Sequence, residues 1–119
     1  EHPDAIQNWR ALANESDAFW LCRGDLGAEV GLENLPGLQR IMLNEAAKHL
    51  PLFVAGQVLH HTTVSSRPTR SEVCHLADLV CQGAAGFVLS DETACGAHGP
   101  EAVAWMRRVI EATCRSGID

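Results

Sequence analysis

The residue in this chain best suited to chemistry is Asp25, which closes the segment Arg23-Gly24-Asp25. A carboxylate placed after a glycine at the tip of an all-apolar run is a poor structural choice unless it binds something. Hard cations such as Mg²⁺ take one or two carboxylates together with substrate oxygens, and Glu1 would supply the second carboxylate if a strand ends just before the first helix. The plain alternative is a capping or turn aspartate. Glu92 reads in two ways. It could position a substrate or a water, or it could pair with Arg67 or Arg70 across the strand ends, and the ion pair is the expectation. The run Arg67-Pro68-Thr69-Arg70-Ser71-Glu72 reads as a rigid loop entering a helix, with Thr69 or Ser71 as its cap. Its arginines could bind phosphate or simply anchor the loop. His60 and His61 are neighbours and would point apart in an extended chain, so no shared metal is expected. Cys95 has no visible base and reads as a spectator thiol.

Positioning such groups needs elements that bring their ends together, and the hydrophobic pattern supplies them. Ala5, Ile6, Trp9, Leu12 and Ala13 recur at helical spacing. Residues 18–22 form a continuous apolar run, expected to be a strand buried on both faces. Leu35, Leu38, Ile41, Met42 and Ala46 are helical again, and Pro51 ends that helix before a second strand, Leu52-Phe53-Val54-Ala55. A polar loop runs from His60 to Thr69. Val73, Leu76, Ala77, Val80, Cys81 and Ala84 make a helical stripe with Gly83 as its stop. Residues 86–90 are the third strand, and a last helix opens near Pro100-Glu101. Trp9, Trp20 and Trp105 fall on apolar faces and are expected in the core.

A leading helix followed by three strand–helix repeats of roughly 33 residues implies a parallel sheet with helical crossovers, an α/β fold that suits part of a (β/α)₈ barrel. A small doubly wound sheet is the alternative, and no glycine-rich dinucleotide fingerprint follows any strand. In a barrel the chemistry sits at the C-terminal strand ends. Those ends carry Arg23, Gly24 and Asp25, then Gly56 and Gln57, then Ser90 to Thr93.

The 119 residues allow one domain, expected over 1–119. A net charge of −6 argues against a nucleic-acid or anionic-membrane surface, and no apolar stretch approaches the roughly 20 residues that span a bilayer. Five cysteines without paired short spacing fit a reduced, cytoplasmic protein. The chain begins at Glu1, as expected of a fragment or a processed piece. Three parallel strands would leave two unpaired edges, so a longer chain or a second copy is expected to complete the sheet.

Several motifs, in order, resemble the pyruvate kinase family. Arg23-Gly24-Asp25-Leu26-Gly27 matches its R-G-D-L-G, residues 67–72 are similar to R-P-T-R-A-E, residues 89–96 to L-S-G-E-T-A-K-G, and Ala55-Gly56-Gln57-Val58-Leu59 to A-T-Q-M-L. Glu1 falls where a K-I-E-N segment would end. The order and spacing cover nearly the whole chain, and the match is to the C-terminal half of the catalytic barrel.

The resemblance implies a glycolytic phosphotransferase that moves a phosphoryl group from phosphoenolpyruvate to ADP, giving pyruvate and ATP, with Mg²⁺ and usually K⁺. It implies that Glu1 and Asp25 are catalytic metal ligands, that the backbone N–H of Gly24 helps hold the substrate carboxylate, and that Gly56 lies beside the substrate. It also implies a homo-oligomer or a part of a longer chain.

The departures are specific. The family's catalytic lysine, two residues before Glu1, and the strands that supply K⁺ and nucleotide contacts are not within these residues. Its A-T-Q threonine is Gly56, its L-S-G-E-T glycine is Asp91, and its E-T-A-K-G lysine is Cys95, which together make the strand-end face more acidic. The isolated fragment is therefore expected to be inactive. Two other outcomes stay open: a Mg²⁺-dependent lyase or aldolase acting on pyruvate enolates, and a non-catalytic remnant of the barrel.

Overall fold

The computed structural model describes residues 1–116, and residues 117–119 of the expected domain lie outside the described residues. The elements run α1 (Pro3–Gln7), α2 (Trp9–Ala13), β1 (Phe19–Cys22), α3 (Arg23–Val30), α4 (Leu35–Asn44), β2 (Leu52–Ala55), α5 (Arg70–Cys81), β3 (Gly86–Val88), α6 (Asp91–Ala94) and α7 (Gly99–Arg115). The strands form one parallel sheet in the order β1-β2-β3, as the alternation of strands and helices required. Residues 1–56 and 83–87 form one compact unit, and residues 57–82 with residues 88–116 form a second.

In the first unit β1 and β2 pair in parallel with Phe19 opposite Leu52, Trp20 opposite Phe53, Leu21 opposite Val54 and Cys22 opposite Ala55. Side chains alternate between faces along a strand. Leu21, Leu52 and Val54 are buried, and so are Ile6, Trp9, Leu26, Met42, Leu43 and Ala46 from the helical segments. Trp20, on the opposite face, is 61% exposed. The expectation of a strand buried on both faces, with Trp20 in the core, is corrected here. Leu21 is buried, Trp20 on the other face is exposed, and Phe19 and Cys22 are half-buried.

The first helix also differs from its apolar stripe. It breaks at Asn8, whose backbone departs from helical angles at ψ 21°. Pro3 opens α1, with the His2 side chain accepting the Asp4 N–H, so the break makes two short helices.

In the second unit α5 begins with a capping box. The Thr69 hydroxyl accepts the Glu72 N–H at 3.1 Å, and the Glu72 carboxylate accepts the Thr69 N–H at 2.8 Å. The other Glu72 oxygen accepts the His61 N–H at 2.9 Å, tying the preceding loop to the helix start. Leu76 and Leu79 of α5 and Ala102 and Val109 of α7 are buried in this unit, with Val58 and Leu59. Gly83, at φ +107°, follows the end of α5, as its place in the sequence suggested.

Candidate functional site

Asp25 does not sit in a turn after β1. It lies in the first turn of α3, a helix that follows β1 without a linker. The N-cap is Cys22, which makes no side-chain capping bond, so Asp25 is not the cap. A carboxylate there is favoured by the positive end of the helix dipole. Asp25 is exposed, and among the described residues no hydrogen bond or ion pair engages its side chain.

Gly24 precedes it in the same turn, where backbone N–H groups have no intrahelical partner. A Cβ placed on Gly24 would meet nothing within 4 Å, so the backbone here is open to a ligand. Gly56, at the end of β2, adopts φ +95°, and a Cβ added to it would lie 3.5 Å from the Gly24 nitrogen. The structure therefore sets Gly56 beside the Gly24 backbone, one residue before Asp25.

Glu1 is exposed at the start of the chain and lines a small cavity of about 60 Å³ with Ile6, Trp9, Phe19, Trp20 and Met42. His2, its neighbour, brings Nε2 within 3.8 Å of the Glu29 carboxylate on α3. Asp25 and Glu29 are four residues apart, hence on one face of that helix. The start of the chain thus reaches the helix face that carries Asp25. Among the described residues no group of three or more His, Cys, Asp or Glu side chains is arranged to hold a metal. Two carboxylates and substrate oxygens are the donor set that Mg²⁺ prefers; Glu1 and Asp25 are donors of that type, and the cavity that Glu1 lines does not include Asp25.

Arg23 makes contacts that the sequence did not disclose. Its Nε–H donates to the Ala55 carbonyl at 3.1 Å, a terminal N–H donates to the Gly56 carbonyl, and another reaches Gln39 Oε1 at 3.3 Å. Two of these acceptors are backbone atoms, which no side-chain pattern reveals.

Glu92 corrects a second expectation. It forms no ion pair with Arg67 or Arg70; it is fully buried and accepts the backbone N–H of Leu59 at 3.1 Å and of Ser90 at 3.0 Å, with the Ser90 hydroxyl at 3.3 Å. Burial pushes this carboxyl up, but the N–H groups of Glu92, Ser90 and Leu59 and the Ser90 hydroxyl outweigh it and hold the carboxyl below its usual value. Arg67 instead lies 5.8 Å from the Trp105 ring centroid, with Arg108 at 3.8 Å from the same ring. Trp105 itself is only half-buried and donates its indole N–H to the Ser66 carbonyl at 3.1 Å.

The remaining candidates stay at the surface. His60 and His61 are exposed in a short 3₁₀ turn. Asp91 opens α6 and Cys95 follows its last residue, both exposed, and the Cys95 sulfur lies 3.8 Å from the Asp91 carbonyl.

Comparison with known proteins gives this geometry a family. The model of the pyruvate kinase barrel domain matches residues 1–103. The pyruvate kinase of Thermococcus litoralis is 36% identical over 116 residues, covering 95% of this chain and 24% of that protein. The pyruvate kinase of Mycobacterium tuberculosis is 40% identical over 111 residues, covering 92% of this chain and 24% of that protein. A crystal structure of a pyruvate kinase from Cryptosporidium parvum superposes with a TM-score of 0.89 at 34% identity, over 95% of this chain and 23% of that one. The chain spans about a quarter of the length of these relatives, and its α/β arrangement is part of a (β/α)₈ barrel. With the barrel-domain match running from the first residue into the start of α7, the chain belongs to the pyruvate kinase family.

Proposed function

We propose that this chain carries the metal and enolate side of a pyruvate-kinase-like centre, in a protein that transfers a phosphoryl group from phosphoenolpyruvate to ADP. The observation that supports it most is the meeting of Gly56 with the Gly24 amide in the turn that presents Asp25. In this reading the unpaired Gly24 N–H binds the substrate carboxylate, and the helix end favours its negative charge. Glu1 and Asp25 would hold Mg²⁺, which when bound neutralises charge on the enolate and on the transferring phosphoryl group. Gly56 leaves the pocket wall without a hydroxyl, so the three-carbon acid is oriented mainly by the Gly24 amide and the carboxylate side of the site.

The contacts to the nucleotide and the family's lysine belong to other parts of the barrel, and the 119 residues alone are inactive in this reading. K⁺ dependence, a homo-oligomeric or longer-chain assembly and a cytoplasmic location go with the family reading. Among the described residues no helix is long and apolar enough to cross a membrane.

The test is to incubate the full-length polypeptide with Mg²⁺, phosphoenolpyruvate and ADP. ATP and pyruvate formed in equal amounts, with loss of both on chelating Mg²⁺, are the expected result. Pyruvate released from a larger oxo-acid without ATP would overturn it.

A further inference from the structure

One side chain ties the end of β1 to the end of β2. The Arg23 guanidinium spans the Ala55 and Gly56 carbonyls and is itself braced by Gln39 on α4. The carbonyls it holds are those of the last β2 residue and the first residue beyond it. The turn that starts there is not one the backbone prefers. Gly56 has φ +95°, and Gln57, which is not glycine, has φ +51°. A non-glycine residue in the left-handed region persists when its surroundings over-determine it. Gly56 has no side chain with which to anchor itself, so the restraint must come from elsewhere. A planar fork with several fixed donors suits two successive carbonyls, as a lysine point charge does not.

We propose that Arg23 is a positioning residue. It holds the turn at Gly56 against the Gly24 amide and so sets the distance between the two walls of the carboxylate-binding cleft. This rests on the reading of Gly24 and Asp25 as the substrate-binding turn. Arg23 touches no reacting atom in this account. It acts through the backbone at Ala55 and Gly56, where a family threonine is missing and the side-chain contribution to that wall is lost.

The test uses the full-length polypeptide in three forms: unaltered, R23K and Q39A. The first readout is amide hydrogen exchange of the segment 52–59. The second is the affinity for oxalate, a planar dicarboxylate, in the presence of Mg²⁺. R23K is expected to speed exchange of that segment by about tenfold while the segment 99–115 is unchanged, because the loss is local rather than global. It is also expected to weaken oxalate about tenfold with the melting temperature within ~3 °C of the unaltered protein. Q39A leaves both carbonyl bonds and is expected to speed the same exchange by about threefold.

Exchange in R23K equal to that of the unaltered protein, or faster by the same factor in every segment, would overturn the proposal. If R23K does not fold, Q39A decides, and unchanged exchange there counts against Arg23. If both variants loosen the segment while the unaltered protein binds no oxalate, Arg23 still positions the turn and it is the substrate reading that fails.

Discussion

The Glu92 carboxylate accepts the backbone N–H of Leu59 at 3.1 Å, joining residues 33 positions apart in the chain. The same carboxylate holds Ser90 through its N–H and hydroxyl. It is therefore a clamp between the end of β3 and the segment that follows β2, rather than half of an ion pair. Removing it would leave the buried Leu59 N–H without its acceptor. Glu92→Ala should lower stability by about 2–4 kcal/mol, as hydrogen bonds to a charged acceptor and the groups left unpaired together require. Urea denaturation measures this.

The same residue gives a pH dependence with a definite sign. Its folded carboxyl titrates below the usual glutamate value. The stability it adds is thus fully present above the unfolded value near ~4.3 and is lost as pH falls through the lower, folded value. Glu92→Gln should flatten this part of the stability–pH curve. A curve of unchanged slope below about pH 4.3 in the variant would contradict the clamp.

Gly96 closes α6 against the loop carrying Thr63. A Cβ there would lie 2.9 Å from the Thr63 Cα and 3.0 Å from the Glu92 carbonyl, both backbone atoms that cannot swing away. Gly96→Ala should cost about 1–3 kcal/mol through overpacking. A melting temperature unchanged from that of the unaltered protein would contradict this packing.

How much of this was readable beforehand follows from what each element displays. The strands β1 and β2 announce themselves as unbroken apolar runs, and α5 and α7 carry long stripes. Helix α3 stayed hidden because Leu26 is its one fully buried side chain, so Arg23–Val30 shows no stripe. Asp25 stood out because a charge at the tip of an apolar strand is conspicuous. Arg23 and Glu92 were misjudged or passed over because their acceptors and donors are backbone atoms, which every residue carries. A charge in a sequence invites a search for an opposite charge, and the fold supplied carbonyls and N–H groups instead.

Gly56 offers a test of how the altered pocket wall is held. Restoring the family's side chain with Gly56→Thr would add a hydroxyl, but the backbone at φ +95° disfavours any Cβ. The variant should lose about 1–2 kcal/mol of stability, the usual cost of left-handed geometry for a branched residue. Thermal denaturation reads the loss, and a variant as stable as the original would show that the turn relaxes freely.

Asp25 carries the central claim, because it is exposed and its side chain is not needed to hold α3 together. In the full-length polypeptide, Asp25→Asn should lower kcat/KM for phosphoenolpyruvate by about 10³-fold and weaken Mg²⁺ binding, the scale expected when a metal-held charge stabiliser is lost. The melting temperature should stay within ~2 °C of the unaltered protein. The decisive measurement is that kcat/KM, taken with Mg²⁺ saturating for the unaltered protein. A thousandfold loss at unchanged stability is the predicted result. A variant that turns over phosphoenolpyruvate and ADP as fast as the original would contradict a metal–enolate site at Asp25.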